Sequence, residues 1–204
     1  CAGDPVNMVD LDGRREWPVA PEYNNLRRNH LNNYNEPRGT RLHKGIDINM
    51  GNAGNADYGA PVYATHPGII TRIVDINKTT DTNAGGSRIS ITYTAEDGTA
   101  ISTSYMHLGS ILDGLELGME VEEGMQIGTI GRSGDGRIDR YTAHLHYELK
   151  IDGVNIDPTL GPDHLNDPMV YIRGAYEKIP PSTISESAKV MPVILSHAVT
   201  NQKQ

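Results

Sequence analysis

The chain has 204 residues, 37% of them hydrophobic, with one cysteine, one tryptophan, no phenylalanine and a formal net charge of −8. A single cysteine excludes an intrachain disulfide scaffold, the acidic balance gives no net attraction to nucleic-acid phosphate, and no apolar run is long enough to cross a bilayer as a helix. The length allows one substantial core, which must rely on Ile, Val, Leu, Met and the bodies of tyrosines.

Taken in chain order, the strand signals dominate. Ile46-Asp47-Ile48-Asn49 alternates apolar and polar residues, and Gly39 and Gly45 argue against a helix around it. Further strands are expected at Val62-Tyr63-Ala64, 68–76, 88–94, 100–107, 126–130 and 145–151, separated by Gly, Asn and Asp turns. Sustained helical periodicity is scarce. The pattern predicts a mostly β domain with antiparallel sheets, few helices, and a sheet groove rimmed by loops. Three polar loops stand out at Met50–Gly59, Asn77–Ser87 and Arg132–Ala143, the last carrying Arg132, Arg137 and Arg140. Those arginines are read as a solvated basic loop, with contact to substrate carboxylates as the sharper alternative. Asp135-Gly136 and Asp10-x-Asp12-Gly13 lack the full ligand pattern of a calcium loop and are read as turns.

Two separated histidine clusters carry the chemistry: His43-Lys44-Gly45-Ile46-Asp47 and His144-Leu145-His146, with Tyr105-Met106-His107-Leu108 between them. In an extended strand residues i and i+4 share a face, so His43 and Asp47 point the same way. By the same rule His144, His146 and Glu148 lie on one face of their strand, opposite Leu145, Tyr147 and Leu149. A catalytic zinc takes three protein ligands and keeps a fourth position for water or substrate. His43, Asp47 and one histidine of the later pair supply such a set, and spacing alone leaves open which histidine.

These residues, together with Ala60-Pro61-Val62-Tyr63-Ala64, Pro67-Gly68-Ile69-Ile70, Gly128-Thr129-Ile130-Gly131-Arg132-Ser133-Gly134 and Ile156-Asp157-Pro158, occur in an order that resembles the lysostaphin-type zinc metallopeptidases. The resemblance begins at Trp17-Pro18-Val19 and sets a metallopeptidase domain at 17–160, with the β-groove architecture of that family. It implies one Zn2+ per chain held by His43, Asp47 and His146, with His107 and His144 as catalytic residues. It also implies the substrate: the peptide cross-links of bacterial peptidoglycan, hydrolysed by metal-activated water with the two histidines moving protons or binding the oxyanion. Where relatives carry a Phe-Gly-x-Arg turn before the first ligand, this chain reads Asn33-Tyr34-Asn35-Glu36-Pro37-Arg38-Gly39-Thr40. Tyr34 is the candidate oxyanion donor there if the loop folds back toward the metal, and ordinary loop packing is the plainer reading.

Other polar residues receive bland readings. Glu148 is available to fix the tautomer of a ligand histidine, but an exposed strand carboxylate is the favoured expectation. His30, His66, His164 and His197 are given no function.

The first fourteen residues, Cys1 to Arg14, resemble the end of an Rhs-type repeat-associated core, with Leu11 in place of the usual proline. That resemblance makes 1–16 a stub and the peptidase the C-terminal payload of a larger secreted protein with an upstream Rhs-type shell. A lipid anchor at Cys1 is the competing reading. Both place the chain in the bacterial cell envelope, periplasmic or secreted. Residues 161–204 form a C-terminal extension of unassigned role, with a polar Ser-Thr run and an apolar stretch at 190–199. Two other function classes stand beside the endopeptidase: a catalytically silent wall-binding or amidase-regulating module, and a β domain whose metal is structural. Structural zinc favours four protein ligands including cysteine, which disfavours the last.

Overall fold

A computed structural model describes residues 17–20, 34–49, 54–95 and 98–158. The expected stub at 1–16 and the extension at 161–204 lie outside the described residues. Twelve strands follow one another: β1 (Pro37–Arg38), β2 (Arg41–Leu42), β3 (Ile46–Ile48), β4 (Pro61–Tyr63), β5 (Gly68–Val74), β6 (Arg88–Thr94), β7 (Ala100–Met106), β8 (Leu108–Ile111), β9 (Glu120–Val121), β10 (Gln126–Ile130), β11 (Leu145–Ile151) and β12 (Val154–Ile156). Among the described residues there is no helix. The mostly β, antiparallel architecture expected from the alternation is the one observed.

The principal sheet runs β12-β11-β7-β6-β5-β9, with β3 also paired to β11, and a three-stranded sheet runs β4-β10-β8. Strands β3 and β12 follow each other along one edge of β11, while β7 lies along the other. Apolar faces of both sheets meet in a core that includes Ile46, Ile48, Val62, Ile70, Ile89, Ile91, Leu108, Ile127, Ile130 and Leu145. Val19 is buried in it and Trp17 packs against Tyr147 edge-on at 5.7 Å, so the packed unit reaches back to Trp17.

With no phenylalanine available, tyrosines fill the largest core positions, and their hydroxyls then require partners. Tyr105 and Tyr147 are fully buried. Thr65 answers both: its backbone N–H donates to the Tyr105 hydroxyl at 2.9 Å, and its own hydroxyl bonds Tyr105 at 2.9 Å and Tyr147 at 3.0 Å. The chain of hydrogen bonds continues through Thr103, 3.1 Å from the Tyr105 hydroxyl, to His66 Nε2 at 3.0 Å. His66 donates from Nδ1 to the Pro67 carbonyl at 2.7 Å, so Nε2 is the acceptor. Burial pushes its pKa down to about 4, and His66 is a core histidine.

Strand limits differ from expectation where polar groups compete with the ladder. Asp75 Oδ1 accepts the backbone N–H of Asn77 at 3.0 Å, a local turn that ends β5 before Ile76. Strand β7 stops at Met106 because His107 takes φ +63°. The short strands β1, β2, β8, β9 and β12 carry too few residues for alternation to reveal them. One had a turn signal: β1 and β2 are joined by Gly39-Thr40, with Gly39 at φ +67°, the glycine-first connection of a two-residue hairpin.

Candidate metal centre and its surroundings

The pairing register of β3 with β11 builds the site. Asp47 lies directly opposite His146 across that pair, which sets their Cβ atoms about 5 Å apart on one face. Gly45 makes the approach possible: a Cβ there would stand 2.3 Å from the Tyr147 carbonyl oxygen and 2.9 Å from Glu148 Cγ. His43 enters from the end of the β1–β2 hairpin, where its N–H donates to the Glu36 carbonyl and its carbonyl accepts the Asn35 N–H.

Three side-chain atoms converge. His43 Nε2 and His146 Nδ1 are 2.8 Å apart, and Asp47 Oδ1 is 3.1 Å from the first and 3.0 Å from the second. Ligands about 2.0–2.1 Å from a tetrahedral zinc stand about 3.3 Å from one another. These atoms therefore match the spacing of one ion's ligands to within about half an ångström, and two imidazoles with a carboxylate are a donor set zinc accepts. Among the described residues this trio forms the group with metal-ligand spacing. His144 is not in it; its Nε2 lies 3.7 Å from Asp47 Oδ1. Geometry thus separates the two histidines that spacing could not.

Charge in the trio is set by mutual contact. Burial alone would raise the Asp47 carboxyl, but hydrogen bonds from His146 and His43 and the charge of His144 hold it well below the usual carboxylate range. Burial disfavours a charge on His146, yet its bonds to Asp47 and Glu148 raise its pKa. The far side of the carboxylate is engaged too: Arg38 Nη2 lies 3.1 Å from Asp47 Oδ2 and 2.9 Å from Glu36 Oε2.

Glu148 corrects the sequence reading. It is buried rather than exposed, and its Oε1 lies 3.3 Å from His146 Nε2. Its other oxygen meets Lys150 Nζ at 3.1 Å and Asn155 Nδ2 at 3.4 Å. Burial would raise the Glu148 pKa, but the His146 bond and the charge of Lys150 bring it down to about 2. As an acceptor it holds a proton of His146 on Nε2, so that Nδ1, which faces His43 and Asp47, is the atom that would be deprotonated to bind a metal. The sequence reading expected Glu148 to be exposed on its strand face, whereas it is covered by the segment around His43 and by Asn155 of β12, whose Nδ2 donates to the Lys44 carbonyl at 2.7 Å. Covering segments far away in sequence leave no mark on local periodicity.

His107 and His144 flank the trio. Their rings are 4.7 Å apart, and the His107 ring is 5.8 Å from that of His146. Each donates from Nδ1 to a backbone carbonyl, His107 to Ser133 at 2.8 Å and His144 to Thr142 at 2.8 Å, so in both rings Nε2 is the proton acceptor. Burial, with the charges of His144 and His146 adding to it, lowers the His107 pKa to about 3. The left-handed backbone at His107 is costly for a non-glycine residue. It is held by the N–H bond to the Gly85 carbonyl at 3.0 Å and by Ser133, whose hydroxyl donates to the Leu108 carbonyl at 2.8 Å.

Tyr34 lies elsewhere in the network. It packs against the core and its hydroxyl donates to the Asn155 carbonyl at 2.9 Å. The loop nevertheless folds back to the trio, through Arg38 rather than the tyrosine. Sequence reasoning also passed over Tyr141, whose ring sits 4.7 Å from that of His107 and 6.0 Å from that of His144. Gly134 leaves the space for it, since a Cβ there would come within 2.2 Å of Tyr141 Cε2. A glycine and a tyrosine inside one polar loop gave no periodic signal. The loop arginines are tied within the loop: Arg137 to Asp139 at 3.3 Å, Arg140 to Asp135 at 2.7 Å, and Arg132 Nε to the Tyr141 carbonyl at 2.8 Å.

The chain is similar to several known proteins. Over 117 residues the chain is 32% identical to the L-Ala–D-Glu endopeptidase of Bacillus subtilis, a match that covers 56% of this chain and 31% of that protein. The chain thus spans about a third of that relative's length. In fold it is similar to a zinc-containing peptidase from Vibrio cholerae, with TM-score 0.50 and 23% identity over 72% of this chain and 44% of that one. The SpoIIIAH–SpoIIQ complex gives TM-score 0.50 and 20% identity over 71% of this chain and 97% of the matched one. Residues 41–158, which hold His43, Asp47, His107, His144 and His146, match peptidase family M23, and the chain belongs to that family.

Proposed function

We propose that this chain is a zinc-dependent endopeptidase that hydrolyses peptide cross-links of bacterial peptidoglycan. The observation that carries the reading is the convergence of His43, Asp47 and His146 on one point with His107 and His144 beside it. The family supports a peptidoglycan peptide as substrate, and one relative is named for the bond between L-Ala and D-Glu. Zinc held by the trio supplies a Lewis acid that polarises the scissile carbonyl and makes water acidic enough to attack near neutral pH.

The protein's own groups do the rest. His107 and His144 present Nε2 because Nδ1 is held by backbone carbonyls. Either Nε2 can take the proton of the attacking water, and the imidazolium so formed can return that proton to the leaving amine. The lowered pKa of His107 keeps it neutral at working pH, with Nε2 unprotonated. Glu148 and Arg38 orient the ligands from behind, on His146 and Asp47 respectively.

The same reading places the chain in the bacterial envelope, as a periplasmic or secreted protein, with residues 17–160 as the catalytic domain and 1–16 as an Rhs-type stub. A catalytically silent wall-binding module is the alternative, and the intact set of five candidate residues argues against it. Digestion of purified peptidoglycan of several cross-link types, with mass analysis of the soluble products, tests the proposal. New peptide amino and carboxyl ends are expected from the zinc-loaded chain; an unaltered wall with every cross-link type would contradict it.

A further inference from the structure

Five arginines stand around the candidate centre, and four are engaged. Arg38 pairs with Glu36 and Asp47, Arg137 with Asp139, Arg140 with Asp135, and Arg132 donates to the Tyr141 carbonyl. Arg41 differs: it is exposed, and the ion pairs found among the described residues do not include it.

Its place is fixed by the hairpin. The β1–β2 register puts Arg41 directly opposite Arg38, so the two side chains leave the same face about 5 Å apart at Cβ. Arg38 extends from that face to the ligand carboxylate of Asp47, which orients the face toward the metal centre. Arg41 is also two residues before the ligand His43 in extended chain. Its charge also acts on the phenol of Tyr141, whose ring lies against His107 and His144. Like charges directly opposite on a strand pair are unfavourable. Glu36 and Asp47 neutralise Arg38, which leaves Arg41 as the guanidinium of the pair with no ion-pair partner among the described residues, in a chain whose formal charge is −8.

We propose that Arg41, backed by Arg38, is a substrate subsite for a free carboxylate on the residue beside the scissile bond. This deepens the endopeptidase reading and rests on it: the substrate class becomes stem peptides with an unamidated acidic residue next to the cleaved bond. A guanidinium fork matches a carboxylate bidentately, and a carboxamide in the same place loses the charge-assisted bond. Because Arg41 is exposed, the preference takes the lower part of the range for such bonds, about tenfold.

The test uses the full 204-residue chain loaded with zinc. Two L-Ala-γ-D-Glu peptides serve as probes, identical except that the glutamyl α-carboxylate is free in one and a carboxamide in the other. Binding is read by calorimetry in a His107→Ala background, where turnover does not interfere, and kcat/KM is read in the active chain. The free acid is expected to bind about tenfold more tightly than the amide. Arg41→Gln should bring the two within about twofold, while Arg137→Gln keeps the preference. Binding that does not distinguish the peptides, including none at all, overturns the subsite, as does an Arg41→Gln protein that keeps the full preference. Preferential binding without cleavage of either peptide, and without release of peptides from purified peptidoglycan, would sink the endopeptidase reading and leave the subsite standing; cleavage of both without preference would do the reverse.

Discussion

His43 Nε2 and His146 Nδ1 lie 2.8 Å apart although 103 residues separate them in sequence. The chain brings them together through the β3–β11 pairing, and that pairing depends on a glycine. Gly45→Ala should therefore act at a distance from its small change in volume. The new methyl would meet backbone at Tyr147, which cannot rotate away. Destabilisation of about 1–3 kcal/mol is expected from overpacking, together with weaker zinc binding as β3 is pushed off β11. Denaturant unfolding and zinc competition check both.

His107→Ala should keep zinc and lose turnover. Its ring is outside the group with metal-ligand spacing, so metal content measured after dialysis should remain at one per chain. Removal of a positioned acid or base costs roughly 10²–10⁴ in rate. Loss of metal alongside activity would show that the ring is a ligand instead.

Glu148 stands behind a candidate metal ligand, its Oε1 3.3 Å from His146 Nε2. Substitution of a carboxylate behind a ligand histidine costs about 10–100-fold in metal affinity. Glu148→Ala should fall near the upper end and Glu148→Gln, which keeps an acceptor oxygen but not the charge, near the lower. Competition with a chromophoric chelator measures it directly.

His66 predicts a pH dependence of stability. Its pKa is about 4 in the folded chain against an ordinary 6.5. Below pH 6.5 the unfolded chain takes up a proton that the folded one does not, so folding weakens as pH falls. The loss levels off near pH 4, where the folded histidine protonates as well. The full shift corresponds to roughly 3 kcal/mol. His66→Gln should flatten the curve of unfolding free energy between pH 6.5 and 4 relative to the parent, whatever other groups contribute in common. Parallel curves would show that His66 is not what titrates.

Much of this was legible in the residues, and the parts that were not share a cause. The long strands β5, β6, β7, β10 and β11 alternate strongly enough to be read, and the His43, Asp47 and His146 motif appears with its order and flanks intact. Which member of the later histidine pair joins the trio needed the register of β3 on β11. Glu148 was misjudged because the cover over its side of β11 comes from β12 and the segment around His43, contacts that a local pattern does not encode. Arg38 and Tyr141 were missed for a similar reason: one reaches Asp47 from a two-residue strand, the other sits in a loop where Gly134 clears its space.

The most direct measurement is a zinc titration of the chelated chain followed by turnover of peptidoglycan cross-links, run beside His43→Ala, Asp47→Ala and His146→Ala. The account predicts no activity without metal, recovery complete at one zinc per chain, and no recovery at that ratio in any of the three variants, whose affinity falls by more than roughly 100-fold. Cross-link hydrolysis that persists after chelation, or full activity in a variant lacking one of the three ligands, would contradict it.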